Sequence, residues 1–316
     1  MSDEPIRLRL GGYGPKTTSF SRALKLIGDR LAAQFGDRVD VKYVWNIMDL
    51  GYRSEDILWL VEEGFLTLGY QSSSYMTDQV PELGLIDLPF LFDDSASARA
   101  AMDGALGARM TSAIEERMNY RVLGYFENGF RHISNRLRDV RVPGDVAGMK
   151  IRVLPSKVHA RAFELLGAEP VICDLTEAIA WVTSGELDAQ ENPLSNTVTY
   201  GVHDFHSHIT LSGHFYVSRP IFLNRDAWES WSEEFRQAMA EAISEAVAFQ
   251  RGETAREADE ARQILEEKGC TIIELAAEER TAVADAMAPI FDEARAAHGD
   301  ELFALLQSAR SGEEHL

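Results

Sequence analysis

Ile6-Arg7-Leu8-Arg9-Leu10 runs directly into Gly11-Gly12-Tyr13-Gly14-Pro15, so an alternation of apolar and basic side chains ends in a cluster of turn formers. That pattern predicts a strand followed by a loop. A helix follows, capped by Ser19 or Ser21, in which Leu24, Ile27, Leu31 and Phe35 recur at helical spacing until Gly36 stops it. Val39 to Val44 reads as a strand, Ser54 to Glu63 as a short helix closed by Gly64, and Phe65 to Gly69 as a buried strand. The order βαβαβ is that of a sheet with crossover helices.

The second half repeats the grammar. It reads as strands Arg121 to Phe126, His132 to Asn135 and Lys150 to Val153, helix Lys157 to Leu166, strand Glu169 to Cys173 and helix Thr176 to Ser184. Two α/β units fit a chain of 316 residues. No low-complexity linker separates them, which predicts lobes joined by strands, with the chain crossing more than once. Arg225 to Glu267 is nearly free of helix breakers, Gly252 excepted, and its apolar stripe (Trp228, Trp231, Phe235, Met239, Ile243, Val247) covers only the first half. One helix of that length would extend about 60 Å at 1.5 Å per residue, too long for a single lobe. It is expected to span both; the alternative is a structural protein that self-associates through a coiled coil.

Composition narrows the function. The formal charge of -20, from 51 acidic and 31 basic residues, repels phosphate backbones and anionic lipid, so neither nucleic acid nor a membrane surface is an expected partner. The same field repels an anionic ligand, so a site for one must carry its own local positive charge, and individual arginines become informative. No segment approaches the roughly 20 apolar residues of a membrane span; the nearest, Leu83 to Phe92, is interrupted by Asp87 and Pro89. Met1 to Pro5 offers no basic n-region or apolar h-region, which fits either a cytoplasmic protein or an exported one lacking its leader. Cys173 and Cys270 specify neither a redox pair nor a zinc site and read as small buried hydrophobes.

Among chemically versatile clusters, His203, Asp204, His206, His208 and His214 are the densest. Histidines with an aspartate can hold zinc and activate water, so a zinc-dependent hydrolase using His203, His206 and His208 is the alternative reading. No H-E-x-x-H helix supports it. Gly11 to Gly14 matches no nucleotide-binding pattern, and no G-x-S-x-G elbow is present. A carboxylate-binding logic is legible instead. Arg131 opens a strand, and Arg152 lies inside Met149-Lys150-Ile151-Arg152-Val153, near the strand end where open α/β sheets place ligands. A guanidinium there can grip a carboxylate through two parallel hydrogen bonds. No catalytic group, cofactor or metal is required.

The wording of four ordered segments is more specific: Gly129-Phe130-Arg131, Val142 to Val153 (VPGDVAGMKIRV), Leu166-Gly167-Ala168-Glu169-Pro170 and Gly185 to Pro193 (GELDAQENP). Together with Leu88-Pro89-Phe90-Leu91-Phe92 and Leu223-Asn224-Arg225-Asp226-Ala227-Trp228 they resemble the solute receptors of TRAP (tripartite ATP-independent periplasmic) transporters, over nearly the whole chain. The resemblance implies the two-lobed α/β fold of periplasmic binding proteins with a long helix spanning both lobes. Lobe one would be 1–128 with 216–255, and lobe two 129–215 with 256–316, around a ligand cleft. It implies an exported, periplasmic, monomeric receptor that closes on a small carboxylate, passes it to membrane permease subunits and is not an enzyme. The exported chain would begin near its first strand, with Met1-Ser2 marking a trimmed start. By the same resemblance Arg152 holds the carboxylate, Arg131 and Asn192 complete the grip, and lobe one adds side chains near Tyr13 and near Gln71 and Ser72. Trp181 departs from the small residue usual at its place and is a candidate pocket wall. His214 and Phe215 are candidates for setting ligand identity. A sugar acid or other hydroxylated acid suits these side chains, as would an aromatic or keto acid.

Overall fold

The computed structural model describes residues 4–311. In chain order its regular elements are β1 (Ile6–Gly11), α1 (Ser19–Phe35), β2 (Val39–Val44), α2 (Ile57–Glu62), β3 (Leu68–Tyr70), α3 (Ser95–Asp103), α4 (Ala105–Arg117), β4 (Tyr120–Asn135), β5 (Lys150–Val153), α5 (Lys157–Leu165), β6 (Glu169–Ile172), α6 (Leu175–Ser184), β7 (Ala189–Asn192), α7 (Leu194–Thr199), β8 (His208–Asn224), α8 (Arg225–Ser230), α9 (Glu233–Glu267), β9 (Thr271–Glu274), α10 (Ala277–Met287), α11 (Pro289–His298) and α12 (Asp300–Ser311).

The chain forms two compact units. The first takes the chain up to Ser72, Thr111–Glu127 and Ser218–Arg256; the second takes Ser73–Met110, Asn128–Val217 and the chain from Glu257 onward. The chain therefore passes from one to the other after Ser72 and inside α4, β4, β8 and α9. In the first unit β1 pairs in parallel with β2, from Ile6 opposite Val39 to Gly11 opposite Val44, and with β3; β3 pairs antiparallel with the end of β8. Thr18, not Ser19 or Ser21, caps α1, its side chain accepting from the Ser21 N–H, and Gly36 at φ 56° ends the helix. The stripe Leu24, Ile27, Leu31 and Phe35 is buried. Phe35 meets Phe235 of α9 edge to face, with ring centroids 4.9 Å apart. In the second unit β5 lies parallel to both β6 and β7, β7 runs antiparallel to β4, and the start of β8 pairs in parallel with β9. Helix α5 covers β5 and β6, burying Ala162 and Phe163.

Four further expectations change. Arg121 to Phe126 and His132 to Asn135 are parts of one strand, because Gly129 adopts φ 87° and carries β4 through without a break. Phe65 is 65% exposed and precedes the strand. The Leu66 N–H bonds back to the Leu60 carbonyl, so Phe65 lies in the turn that closes α2 after Glu62. The long helical segment breaks at Trp231, whose backbone is extended, and Ser232 restarts it by accepting from the Phe235 N–H; α9 alone has 35 residues. Residues 73–110 belong to the second unit, not the first. They are tied there by the Tyr75 hydroxyl on Arg152 and by the bond from Thr77 Oγ1 to the Pro155 carbonyl. Among the described residues no helix is long and apolar enough to cross a membrane.

At the α3–α4 junction a β-carbon on Gly107 would lie 1.8 Å from the Met102 carbonyl oxygen, a backbone atom that cannot swing aside. Gly107→Ala is therefore expected to cost at least about 2 kcal/mol, as overpacking does, measured by denaturant unfolding. An unchanged midpoint would contradict this packing.

Candidate ligand-binding site

Arg152 sits near the end of β5, opposite Val171 of β6 and Gln190 of β7. Its flanking residues Ile151 and Val153 are buried, and Arg152 itself is 1% exposed. Its Nε and Nη2 donate to the Cys173 carbonyl oxygen at 3.3 and 3.2 Å, and Nη2 also donates to the Tyr75 hydroxyl at 3.1 Å. The same hydroxyl accepts the Leu175 N–H at 3.1 Å. Among the described residues no carboxylate stands within ion-pair distance of Arg152 and nothing accepts from its Nη1. Burial penalises its charge, but the fields of Tyr75, Cys173, Glu191 and Asp174 outweigh that penalty and hold the guanidinium charged. The sequence marks Arg152 through its place in the strand, but Tyr75 and the Cys173 carbonyl, which aim it, come from segments far away in the chain.

Arg131 has a different environment. Its Nε and Nη2 engage the carboxylate of Glu191, Nη2 to Oε1 at 3.0 Å, and both side chains are fully buried. The pair ties β4 to β7, where Ile133 is opposite Glu191 and His132 opposite Asn192. Arg131, expected to grip a ligand, thus spends two of its nitrogens on the protein and fixes the strand that carries Asn192. Asn192 donates to Gln190 Oε1 at 3.1 Å and accepts from Asn196 at 3.2 Å; Asn196 also donates to Asn128 Oδ1 at 3.3 Å. The buried Asn128 Nδ2 is left without a partner. His214 is buried, its Nδ1 2.6 Å from Ser212 Oγ and its Nε2 3.9 Å from Glu191. Phe215 stacks on His159, with centroids 3.9 Å apart and planes 12° apart. Arg131, Asn192, His214 and Phe215 therefore gather around Glu191 and His159 in the second unit.

Trp181 does not join this group. It packs with Val171 and Tyr200 on a small core of Val182, Leu187 and Val202. In the first unit Gln71 is consumed locally, donating to the Ser54 carbonyl at 2.9 Å and accepting from the Ser72 N–H at 2.9 Å. Tyr13 lies beside Tyr70, ring centroids 5.2 Å apart, with the buried guanidinium of Arg219 over its face. Sequence reasoning passed over Arg219, although it is the lone charge in the apolar run from Phe215 to Leu223. The histidine cluster is dispersed. His203 Nδ1 lies 3.4 Å from the Thr197 carbonyl, His206 Nδ1 3.0 Å from Ser134 Oγ, and His208 pairs with Asp139 at 2.7 Å. Asp204 pairs with Lys268 at 2.6 Å, and among the described residues no group of three or more potential ligands could hold a metal ion.

Asp87 lies behind the site, bonded to Ser74 Oγ at 2.8 Å and 3.6 Å from His159 Nε2. Burial pushes its carboxyl up to about 7, against hydrogen bonds from Ser156 and Ser74 and the charge of Arg131 that favour ionisation. Burial also holds His159 and His214 well below the ordinary imidazole value. Folded Asp87 keeps a proton that the unfolded chain releases, so its contribution to stability falls as pH rises from its ordinary 3.8 to about 7. The buried histidines act in the opposite direction: below the unfolded imidazole value only the unfolded state gains their protons. Asp87→Asn isolates the first effect, and its melting temperature relative to the parent should climb between pH 4 and pH 7, at about 1.4 kcal/mol per tenfold change in proton affinity. A pH-independent difference would contradict the buried, proton-holding Asp87.

The family model for DctP, bacterial extracellular solute-binding protein family 7, matches residues 13–297. A solute-binding protein of Verminephrobacter eiseniae (strain EF01-2) is 30% identical over 254 residues, covering 80% of this chain and 74% of that protein. The 2,3-diketo-L-gulonate-binding periplasmic protein YiaO of Escherichia coli (strain K12) is 28% identical, covering 84% of this chain and 80% of its own. The fold is that of the crystal structure of the sugar acid binding protein DctPAm from Advenella mimigardefordensis strain DPN7T in complex with galactonate: the TM-score is 0.93 at 25% identity, covering 99% of this chain and 100% of that one. These proteins bind and carry solutes and are not enzymes, and nothing in them supports a hydrolase. The chain belongs to the DctP family of bacterial extracellular solute-binding proteins, the solute receptors of TRAP transporters.

Proposed function

We propose that this receptor works in the periplasm, where it binds a small hydroxylated carboxylate of the sugar-acid class and delivers it to TRAP permease subunits in the membrane. The observation that carries the reading is Arg152, buried to 1% exposure with no protein carboxylate within ion-pair distance among the described residues. A ligand carboxylate supplies the missing charge and accepts from the planar fork. Asn192 and the unpartnered amide of Asn128 supply polar contacts for hydroxyl groups. The ligands of two similar proteins, galactonate and 2,3-diketo-L-gulonate, belong to the same chemical class.

Arg131 acts mainly as the partner of Glu191, orienting β7 and so Asn192.

A thermal-shift screen against small carboxylates should return ligands that stabilise the protein by about 2.7 kcal/mol at a hundredfold excess over Kd. Arg152→Lys keeps the charge but loses the fork, and its affinity for any such hit should fall about 10- to 100-fold, the equivalent of one or two charge-assisted bonds. Equal affinity of variant and parent by calorimetry would show that the carboxylate is held elsewhere.

A further inference from the structure

Four of the large apolar side chains that the fold leaves in water fall close together in the first unit: Leu50 at 65% exposure, Tyr52 at 37%, Trp59 at 40% and Phe65 at 65%. Single exposed apolar residues are ordinary; a contiguous group is not. Tyr52 and Trp59 meet edge to face with ring centroids 6.0 Å apart, and Trp59 meets Phe65 in the same way at 5.8 Å. The three rings therefore form one row on the surface.

The row is held firmly. Gly51, at φ 87°, turns the chain ahead of Tyr52, whose N–H donates to the Ile47 carbonyl. Trp59 lies on α2, which buries Ile57, Leu60 and Val61, and its indole N–H donates to Asp56 Oδ1 at 2.9 Å. Phe65 follows Gly64, at φ 75°, in the turn that closes the helix. Side chains fixed before contact lose little entropy when a partner covers them, and a few aromatic anchors carry much of the binding energy of protein interfaces.

Charge selects the occupant. Residues 49–65 carry five acidic side chains, Asp49, Glu55, Asp56, Glu62 and Glu63, against one basic, Arg53, which pairs with Glu55 at 3.0 Å. A symmetric dimer through this face would set two acidic rims against each other, and an anionic bilayer would be repelled as well. The chemistry that fits is a protein surface with an apolar recess for the rings and lysine or arginine at its edge.

We propose that the row Tyr52, Trp59 and Phe65 is the surface by which this receptor docks on its permease, with Phe65 as the anchor and the acidic rim meeting basic residues of the permease. The proposal rests on the reading of the protein as a receptor that delivers its solute to a TRAP permease; it adds where that contact is made and by which chemistry.

The test is receptor-driven uptake, into proteoliposomes holding the cognate permease, of a carboxylate found by the thermal-shift screen, with the parent, Phe65→Ser and Glu63→Lys. Phe65→Ser should need at least about tenfold more receptor for half-maximal uptake, the scale of one interface anchor. Its Kd for the solute and its melting temperature should stay those of the parent, because the side chain removed is exposed. Glu63→Lys keeps the row and reverses a rim charge, so its uptake should fall at least about threefold at low salt and approach the parent's at high salt. A Phe65→Ser variant that drives uptake at the parent's concentrations overturns the docking surface, as does a loss of uptake matched by an equal loss of solute affinity. So does a parent that dimerises in sedimentation, or that binds phosphatidylglycerol vesicles free of permease, through contacts that Phe65→Ser abolishes. A salt-independent Glu63→Lys overturns the charged rim. If the parent binds the solute yet drives no uptake, the delivery reading fails and this proposal with it; if the parent drives uptake and Phe65→Ser equals it, only the docking surface fails.

Discussion

The burial of Arg152 without a counter-charge is the constraint on which the second unit's arrangement turns. A guanidinium can be kept from water if its N–H groups find acceptors, and here a backbone carbonyl and one tyrosine hydroxyl provide them. Neither is charged, so the fold holds the group in position without cancelling its field. In a protein of net charge -20 a local positive centre is what an anionic solute requires. A stability optimum would place a carboxylate beside Arg152.

Arg131 shows the contrast. Sixty residues downstream, Glu191 occupies its fork, and the buried pair joins β4 to β7. Removing either partner would strand a buried charge, which is why such pairs persist even where their net gain is small. The two arginines thus have different environments by one difference: whether a protein carboxylate reaches the guanidinium. Around the pair, His159, His214 and Asp87 are all buried, and burial favours the neutral form of each. The charge that does act on Arg152 comes from Glu191, already committed to Arg131, and from Asp174, neither within ion-pair distance of it.

Much of this was legible in the sequence where the signal was local. The strand Lys150–Val153 has the bounds that its apolar pattern implies, and α1 buries its expected stripe. The misses share a cause: contacts distant in sequence override local punctuation. Gly129 reads as a turn and instead carries one long strand through a left-handed residue. Phe65 reads as core and is exposed because it lies in the turn that closes α2, ahead of the strand. Trp181 turned out to pack on a small cluster whose members come from four segments. The pairing of Arg131 with Glu191 could not be read from either motif, since each is compatible with a free or a bound fork. Arg219 did leave a trace, a lone charge in an apolar strand, but only its neighbours in space show that the charge is unpaired.

The most direct measurement of the central claim is a crystal structure of the protein with a carboxylate ligand identified by screening. The account predicts the ligand carboxylate on Arg152, both oxygens within hydrogen-bond distance of its guanidinium, about 2.7 to 2.9 Å for charge-assisted bonds. A bound ligand whose carboxylate lies elsewhere, with Arg152 still turned only to Cys173 and Tyr75, would contradict it.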